Sequence, residues 1–265
     1  MSTPQRPPAP RIDQSHVLIC GGTAGVGLET ACEFARRGAP GVVLVGRNAE
    51  RGAAACRVVR EAAQGAQVDF IQADANDVAQ ARRAVEQAAQ KLGRIDVLVN
   101  ATVGPFTPKL MHETAPEDIP AILSTQMLAP LLMSRLVLPL MREARSGLIL
   151  NIASDAGKLA TPGEAVIGAA MAGIIMFGRA LAMEAKRDGI RVNTLTPSLI
   201  EGTLTYERVT QDGFSAKLFA KATQLAQLGL TQPEDLAHLI VFLASPEAAR
   251  ITGQTISPNG GISAA

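Results

Sequence analysis

The chain carries one tyrosine, no tryptophan and three cysteines among its 265 residues. Each scarcity removes a class of explanation. Tyr206 is the single phenol, so chemistry that needs a phenol elsewhere has none to use. Cys20, Cys32 and Cys56 are an odd set without metal-ligand spacing, and no metal site is expected. They read as reduced thiols of a cytoplasmic protein, with free reactive thiols as the alternative. Charge of neither sign dominates: 25 basic against 24 acidic residues leave a net +1. A nucleic-acid or anionic-membrane partner therefore has no support. Residues 1–13 are rich in proline, lack an apolar period and lack the apolar stretch of a secretory signal. They read as a flexible arm before one domain at 14–265. Apolar runs at 127–141 and 165–178 fall short of the roughly 18 residues that a bilayer span needs. Both suit helices buried against a sheet.

What is present alternates between two periods. Short β-branched runs at 16–20, 42–45, 68–71, 97–99, 148–152, 191–195 and 255–257 read as strands. Between them, helices are expected at 26–37, 49–63, from Asn76 or Asp77 to 92, 116–142, 163–187 and 233–243. Pro130 is expected to bend the fourth, and Thr231 to cap the last. Strands separated by helices imply an α/β fold with a doubly wound parallel sheet flanked by helices.

The turn after the first strand reads Gly21-Gly22-Thr23-Ala24-Gly25-Val26-Gly27. Gly21 allows a tight turn, Gly25 lets a pyrophosphate approach the backbone, and Gly27 lets the helix pack close. The helix N-terminus attracts phosphate charge, so this segment reads as a dinucleotide site. After the second strand, Gly46 offers no carboxylate to a ribose diol, whereas Arg47 can pair with a ribose phosphate, next to Asn48. NADP is therefore the expected cofactor. Asp74, after the third strand, can accept from an adenine amine or brace a helix start.

In order and spacing these segments resemble the short-chain dehydrogenase/reductase family from His16 to Gly261. Matching pieces are the glycine turn, Asp74-Ala75, Asp96 to Ala101, Asn151 to Ser154, Gly189 to Asn193, Pro197, Thr252 to Gln254 and Gly260-Gly261. The resemblance implies a single Rossmann-like domain and a homodimer or homotetramer. It also implies cofactor contacts from Gly21, Thr23, Gly25, Val26, Gly27, Arg47, Asn48, Asp74, Ala75, Asn100, Ala101, Pro197, Ile200 and Thr203.

The family works with an asparagine, a serine, a tyrosine and a lysine. Its serine matches Ser154, and its asparagine position holds Gln126. Thirteen residues after Ser154, where the tyrosine should stand, is Ile167; four further on, Met171 replaces the lysine. Neither side chain has a proton to give. Ser154 and Gln126 are the remaining candidates for orienting a carbonyl. Glu164, Asp155, Lys158, His112 and Tyr206 are polar neighbours of the mouth, open to recruitment by chemistry or to a reading as solvated loop residues. Residues 197–214 are expected to cover the substrate, and Met127, Met133, Met171, Met176 and Met183 to give it adaptable walls or ordinary helix core. Three functions fit. One is an NADPH-dependent ketoreductase of a small-molecule carbonyl, aromatic in the favoured case, with a substrate-assisted or relocated proton source. The others are a non-catalytic NADP(H)-binding partner or regulator, and a non-redox catalyst of dehydration, cyclisation or isomerisation.

Overall fold

A computed structural model describes residues 9–211 and 213–264. Seven strands among these residues form one parallel sheet. They are β1 (His16–Cys20), β2 (Gly41–Gly46), β3 (Gln67–Gln72), β4 (Val97–Asn100), β5 (Gly147–Ile152), β6 (Ile190–Leu195) and β7 (Thr255–Ile256). Their order is β3-β2-β1-β4-β5-β6-β7. The chain winds outward from β1 in one direction, then restarts at β4 and winds in the other. That reversal opens a crevice beyond the carboxyl ends of β1 and β4, where open α/β sheets bind their ligands.

Helices cover both faces: α1 (Gly25–Arg36), α2 (Ala49–Ala62), α3 (Val78–Leu92), α4 (Asp118–Ala144), α5 (Ala165–Ala185), α6 (Leu204–Gln211), α7 (Gly213–Leu225) and α8 (Pro233–Ala244). The period of two along β1 divides the core. Val17 and Ile19 meet Phe34, Val59 and Ile240 on one face, while Leu18 and Cys20 meet Val85, Met133 and Val137 on the other. Phe34 is fully buried; truncation to alanine there costs about 3–5 kcal/mol. Burial, then the charge of Asp74, pushes the Cys20 thiol up to about 12, and burial, then Glu29, pushes Cys32 to about 11. All three cysteines are buried and free, so the structure corrects the reactive-thiol alternative: the thiolate is disfavoured at each.

Several element ends differ from expectation. Helix α4 spans Asp118–Ala144, against the expected 116–142, with Pro130 and Pro139 inside it. Thr231 does not cap α8. Gln232 occupies the N-cap position, and its backbone amide donates to Asp235 Oδ2 at 2.8 Å. Asp77 caps α3, accepting from the Gln80 amide at 2.8 Å. Of the arm expected at 1–13, residues 1–8 lie outside the described residues, and Ile12–Gln14 form one turn of 3-10 helix. Helices α4 and α5 are long and apolar enough to cross a membrane by length and composition. Here they lie against the sheet, α4 through Ala129, Met133, Val137 and Met141.

Candidate functional site

The crevice begins at the turn between β1 and α1. Gly21 has φ 85° and Gly25 φ 52°, left-handed values that favour glycine. A Cβ on Gly27 would lie 2.2 Å from the Gly21 oxygen, so α1 seats directly on the turn. Ala24 precedes α1 and offers no side-chain cap. The first-turn amides therefore keep their hydrogen-bonding capacity, and the helix dipole adds positive potential. A pyrophosphate fits that seat without displacing any side-chain acceptor. Val26 is buried beneath it. Thr203 lies over the turn, its methyl 3.3 Å from where a Gly25 Cβ would stand. Ala101 donates its N–H to the Cys20 oxygen at 2.8 Å. Asn100 donates to Asn151 at 2.9 Å, while its own Oδ1 and the nearby Thr102 hydroxyl are buried without partners.

At the end of β2, a Cβ on Gly46 would approach the Thr23 methyl to 2.9 Å, so a side chain there would require Thr23 to move. Arg47 is exposed and forms no ion pair with any described residue. Asn48 caps α2, accepting the Arg51 amide at 2.8 Å. Asp74 is half-buried; its Oδ1 accepts from the Asn76 amide at 2.9 Å and side chain at 3.3 Å. That carboxylate braces the turn before α3 with one oxygen and keeps the other free of donors from the described residues. Ala75 is buried beside it.

Beyond β5, Ser154 opens a one-turn helix at Asp155–Gly157, and its hydroxyl accepts the Ala156 amide at 3.2 Å. The hydroxyl proton is left for another acceptor. Gln126 is buried and accepts the Gly104 amide at 3.2 Å. Pro130, four residues on, has no N–H to give the Gln126 carbonyl. Helix α5 begins pressed against the Ser154 turn: a Cβ on Gly168 would lie 2.6 Å from the Ala156 oxygen. Ile167, half-buried, and Met171, 7 % exposed, join Ala153, Ile174, Ile175 and Met127 in a separate apolar cluster. The wall beside Ser154 is thus hydrocarbon, and an unpaired charge developing there is penalised.

One titratable group stands at the start of that wall. Glu164 immediately precedes α5, three residues before Ile167, and is half-buried. Burial pushes its carboxyl up to about 7; the Thr161 hydroxyl opposes the shift and the charge of Asp155 adds to it. Asp155 itself is spent on structure. Its Oδ2 accepts from Asn259 at 2.6 Å and Ser263 at 2.9 Å, and Lys158 lies 3.3 Å from Oδ1. Lys158 also donates to Ser257. Together they pin residues 257–263 to the loop after β5. His112 is exposed on a separate turn.

The cover over the crevice is larger than the sequence suggested. Pro197 accepts the Asp155 amide at 3.0 Å, and Ile200 pairs with Thr231. Thr203 caps α6, accepting the Tyr206 amide at 3.1 Å. Tyr206 is half-buried on that helix. Arg208 reaches the Gly104 carbonyl at 3.4 Å. Helix α7 then packs down: a Cβ on Gly163 would lie 2.5 Å from the Phe214 ring, and Ser215 donates to the Pro108 carbonyl at 3.3 Å. The four-residue recurrence of Phe214, Leu218 and Ala222 was the signal for this helix. Met176 and Met183 are each 61 % exposed and Met133 is in the core, so only Met127 and Met171 of the five methionines border the site.

The sequence model of the family described as enoyl-(acyl carrier protein) reductase matches residues 21–263. The chain belongs to the short-chain dehydrogenase/reductase family. It is 33% identical over 246 residues to a 3-oxoacyl-[acyl-carrier-protein] reductase of Chlamydia pneumoniae, covering 93% of this chain and 96% of that protein. It is 32% identical over 255 residues to another from Thermotoga maritima, covering 95% and 99%. Among solved structures, levodione reductase superposes with a TM-score of 0.88 at 28% identity, covering 95% of this chain and 98% of that one. A 7α-hydroxysteroid dehydrogenase complexed with NADH and 7-oxo glycochenodeoxycholic acid gives 0.86 at 28% identity, covering 95% of each. Membership makes this short-chain dehydrogenase/reductase an oxidoreductase by family, with the sheet and glycine turn in their expected places.

Proposed function

We propose that the protein is an atypical NADPH-dependent ketoreductase that reduces a small-molecule carbonyl, aromatic in the favoured case. The observation that carries this reading is the pairing of a complete anion seat with a hydrocarbon wall. Two left-handed glycines and an uncapped helix start stand ready for a pyrophosphate, while Ile167 and Met171 line the α5 side of the site. On this reading they take the places of the family's tyrosine and lysine. When bound, a nicotinamide coenzyme supplies the hydride. NADP is preferred over NAD because Gly46 offers no diol-binding acid and Arg47 forms no ion pair with any described residue. Gly21, Thr23, Gly25, Val26, Gly27, Asn48, Asp74, Ala75, Asn100, Ala101, Pro197, Ile200 and Thr203 complete the cofactor surface.

Ser154 and Gln126 orient the carbonyl, and the proton comes from the substrate or from Glu164, the relocated acid. A ketone beside a phenol on its own ring carries an internal hydrogen bond and asks less of the protein. Glu164 holds a proton over part of the neutral range and sits one helical turn before Ile167. The names of the relatives, 3-oxoacyl reductases and a hydroxysteroid dehydrogenase, favour carbonyl chemistry. The domain at 14–265 is read as a cytoplasmic homodimer or homotetramer, with Met176 and Met183 of α5 available to a second copy. Spectrophotometric NADPH consumption with a panel of ortho-hydroxyaryl ketones and simple ketones tests the proposal. Turnover confined to the former supports substrate assistance; cofactor binding with no turnover on any ketone defeats it.

A second reading, a non-catalytic NADP(H)-binding partner, draws on the engagement of both candidate orienting groups, the retained Ser154 and the substituted Gln126. Ser154 and Gln126 each accept a backbone amide within the protein. Coenzyme binding by calorimetry without hydride transfer, together with a coenzyme-dependent change in affinity for another protein, would favour it.

A further inference from the structure

The end of the sheet opposite the cofactor turn gathers a second set of donors. Pro10, Asp96, Ser146, Gly189, Arg191 and Arg250 line a cavity of about 90 Å³ there. Asp96, Ser146 and Gly189 immediately precede β4, β5 and β6, and Arg191 is the second residue of β6. Arg191 is only 9 % exposed. Its guanidinium finds one acceptor among the described residues, the Ile251 carbonyl at a long 3.4 Å. Among the described residues no carboxylate lies within 4.0 Å of it. The acid that lines the cavity, and the acid three residues before Arg191 in the chain, are already committed. Asp96 accepts from Arg94 at 2.8 Å and from the His16 amide at 2.9 Å. Asp188 pairs with Arg142 at 2.8 Å and Arg145 at 2.5 Å.

A guanidinium has five N–H donors in a planar fork and stays charged in proteins. Burying it without a counter-ion costs free energy that nothing in the fold returns. Burial alone lowers the Arg191 pKa to about 10, with no carboxylate opposing the shift. Arg250, exposed at the rim, forms no ion pair with any described residue, and the Ser146 hydroxyl has no hydrogen-bond partner among them. Arg191, Arg250 and Ser146 thus line the cavity together, beside the Asp96 carboxylate already engaged by Arg94 and His16.

We propose that this cavity is a binding site for a small oxyanion, a phosphate or carboxylate group. Arg191 is its buried anchor, and Arg250 and Ser146 close on the ligand from the rim. The site stands apart from the cofactor reading, at the other end of the strands. A bidentate guanidinium grip on one oxyanion supplies both charge and geometry.

Calorimetric titration of the full chain with inorganic phosphate, and in parallel with acetate, tests this at ionic strength held constant with chloride. A dissociation constant of about 1 mM is expected for at least one of the two. It should weaken about fivefold or more in Arg250→Gln and disappear in Arg191→Met. Phosphate alone binding would assign the site to phosphate groups; acetate binding as well would assign it to oxyanions in general. If Arg191→Met does not fold, Arg250→Gln and Ser146→Ala carry the test. Heats that vanish for both anions, or that persist unchanged in the rim variants, overturn the proposal, the latter because they place the anion elsewhere, at the glycine turn for example.

Discussion

The Gln126 side-chain oxygen accepts the Gly104 amide at 3.2 Å, in a buried setting that joins α4 to the loop after β4. The Gly104 carbonyl in turn accepts from Arg208 of the cover. One carboxamide thus fixes the loop on which the cover rests. Gln126→Ala strands a buried N–H, a loss of about 1–3 kcal/mol. Gln126→Glu keeps the acceptor. Urea unfolding should show the first variant destabilised and the second much less so, with kcat/KM falling in the alanine variant. Equal stability of wild type and Gln126→Ala would show that this bond holds nothing.

The seat for the pyrophosphate depends on contact between helix and turn. A side chain at position 27 meets the Gly21 oxygen within 2.2 Å. Gly27→Val must push α1 away from the turn and spoil the alignment of its first amides. NADPH affinity, followed by quenching or calorimetry, should fall about 100-fold or more. Circular dichroism confirms that the variant is folded. Unaltered affinity in a folded variant would remove the glycine turn from the site.

Arg47 is the uncommitted charge beside the expected ribose phosphate. Arg47→Glu replaces attraction by repulsion there. The dissociation constant for NADPH should rise about tenfold or more while that for NADH changes little. A variant that keeps its NADPH preference would transfer the phosphate contact to another residue.

The strands and the glycine turn were legible because their signals are local. The limits of β1 follow from an apolar run closed by glycine, and the expected 16–20 coincides with His16–Cys20. The parallel order followed from strand and helix alternation. Less legible were features made by residues far apart in sequence. The buried cluster of Asp155 with Asn259 and Ser263 joins positions more than a hundred residues apart, and no local pattern announces it. The capping of α8 was misassigned because Thr231 is the residue type that favours an N-cap, whereas the helix starts one residue later with Gln232 at that position. The methionines misled in part: composition marks them as adaptable, but the helix face, not the residue type, sends Met176 and Met183 outward.

Glu164 makes the chain pH-sensitive in a stated direction. Its carboxyl is raised in the folded protein to about 7, above the ordinary 4.5. Between these values the folded state holds more protons than the unfolded one, so stability falls as pH rises from about 4.5 to about 7. This is the reverse of a salt-bridged carboxylate. Thermal unfolding across that window should show the decline in wild type and flatten in Glu164→Gln. If Glu164 is the acid in reduction, kcat/KM also falls as pH passes above about 7, and that limb disappears in the variant. A limb that persists in Glu164→Gln would leave the acid with the substrate.

The proposed loss of the family's polar pair can be tested by placing that pair on the hydrocarbon wall. Ile167→Tyr with Met171→Lys places a phenol and an ammonium four residues apart on α5, facing the Ser154 turn. The cost falls on stability, because Met171 is 7 % exposed and its neighbours Ile174 and Ile175 offer a cation no partner. Desolvation of that ammonium lowers its pKa and destabilises the fold when it is charged. The double variant should therefore unfold at a lower temperature than wild type, more so at low pH. Its rate on simple ketones should nevertheless rise about 10² or more, the scale of general acid catalysis. A folded double variant that binds NADPH and stays inert towards simple ketones would show that more than a proton donor is missing, and would shift the balance to the non-catalytic reading.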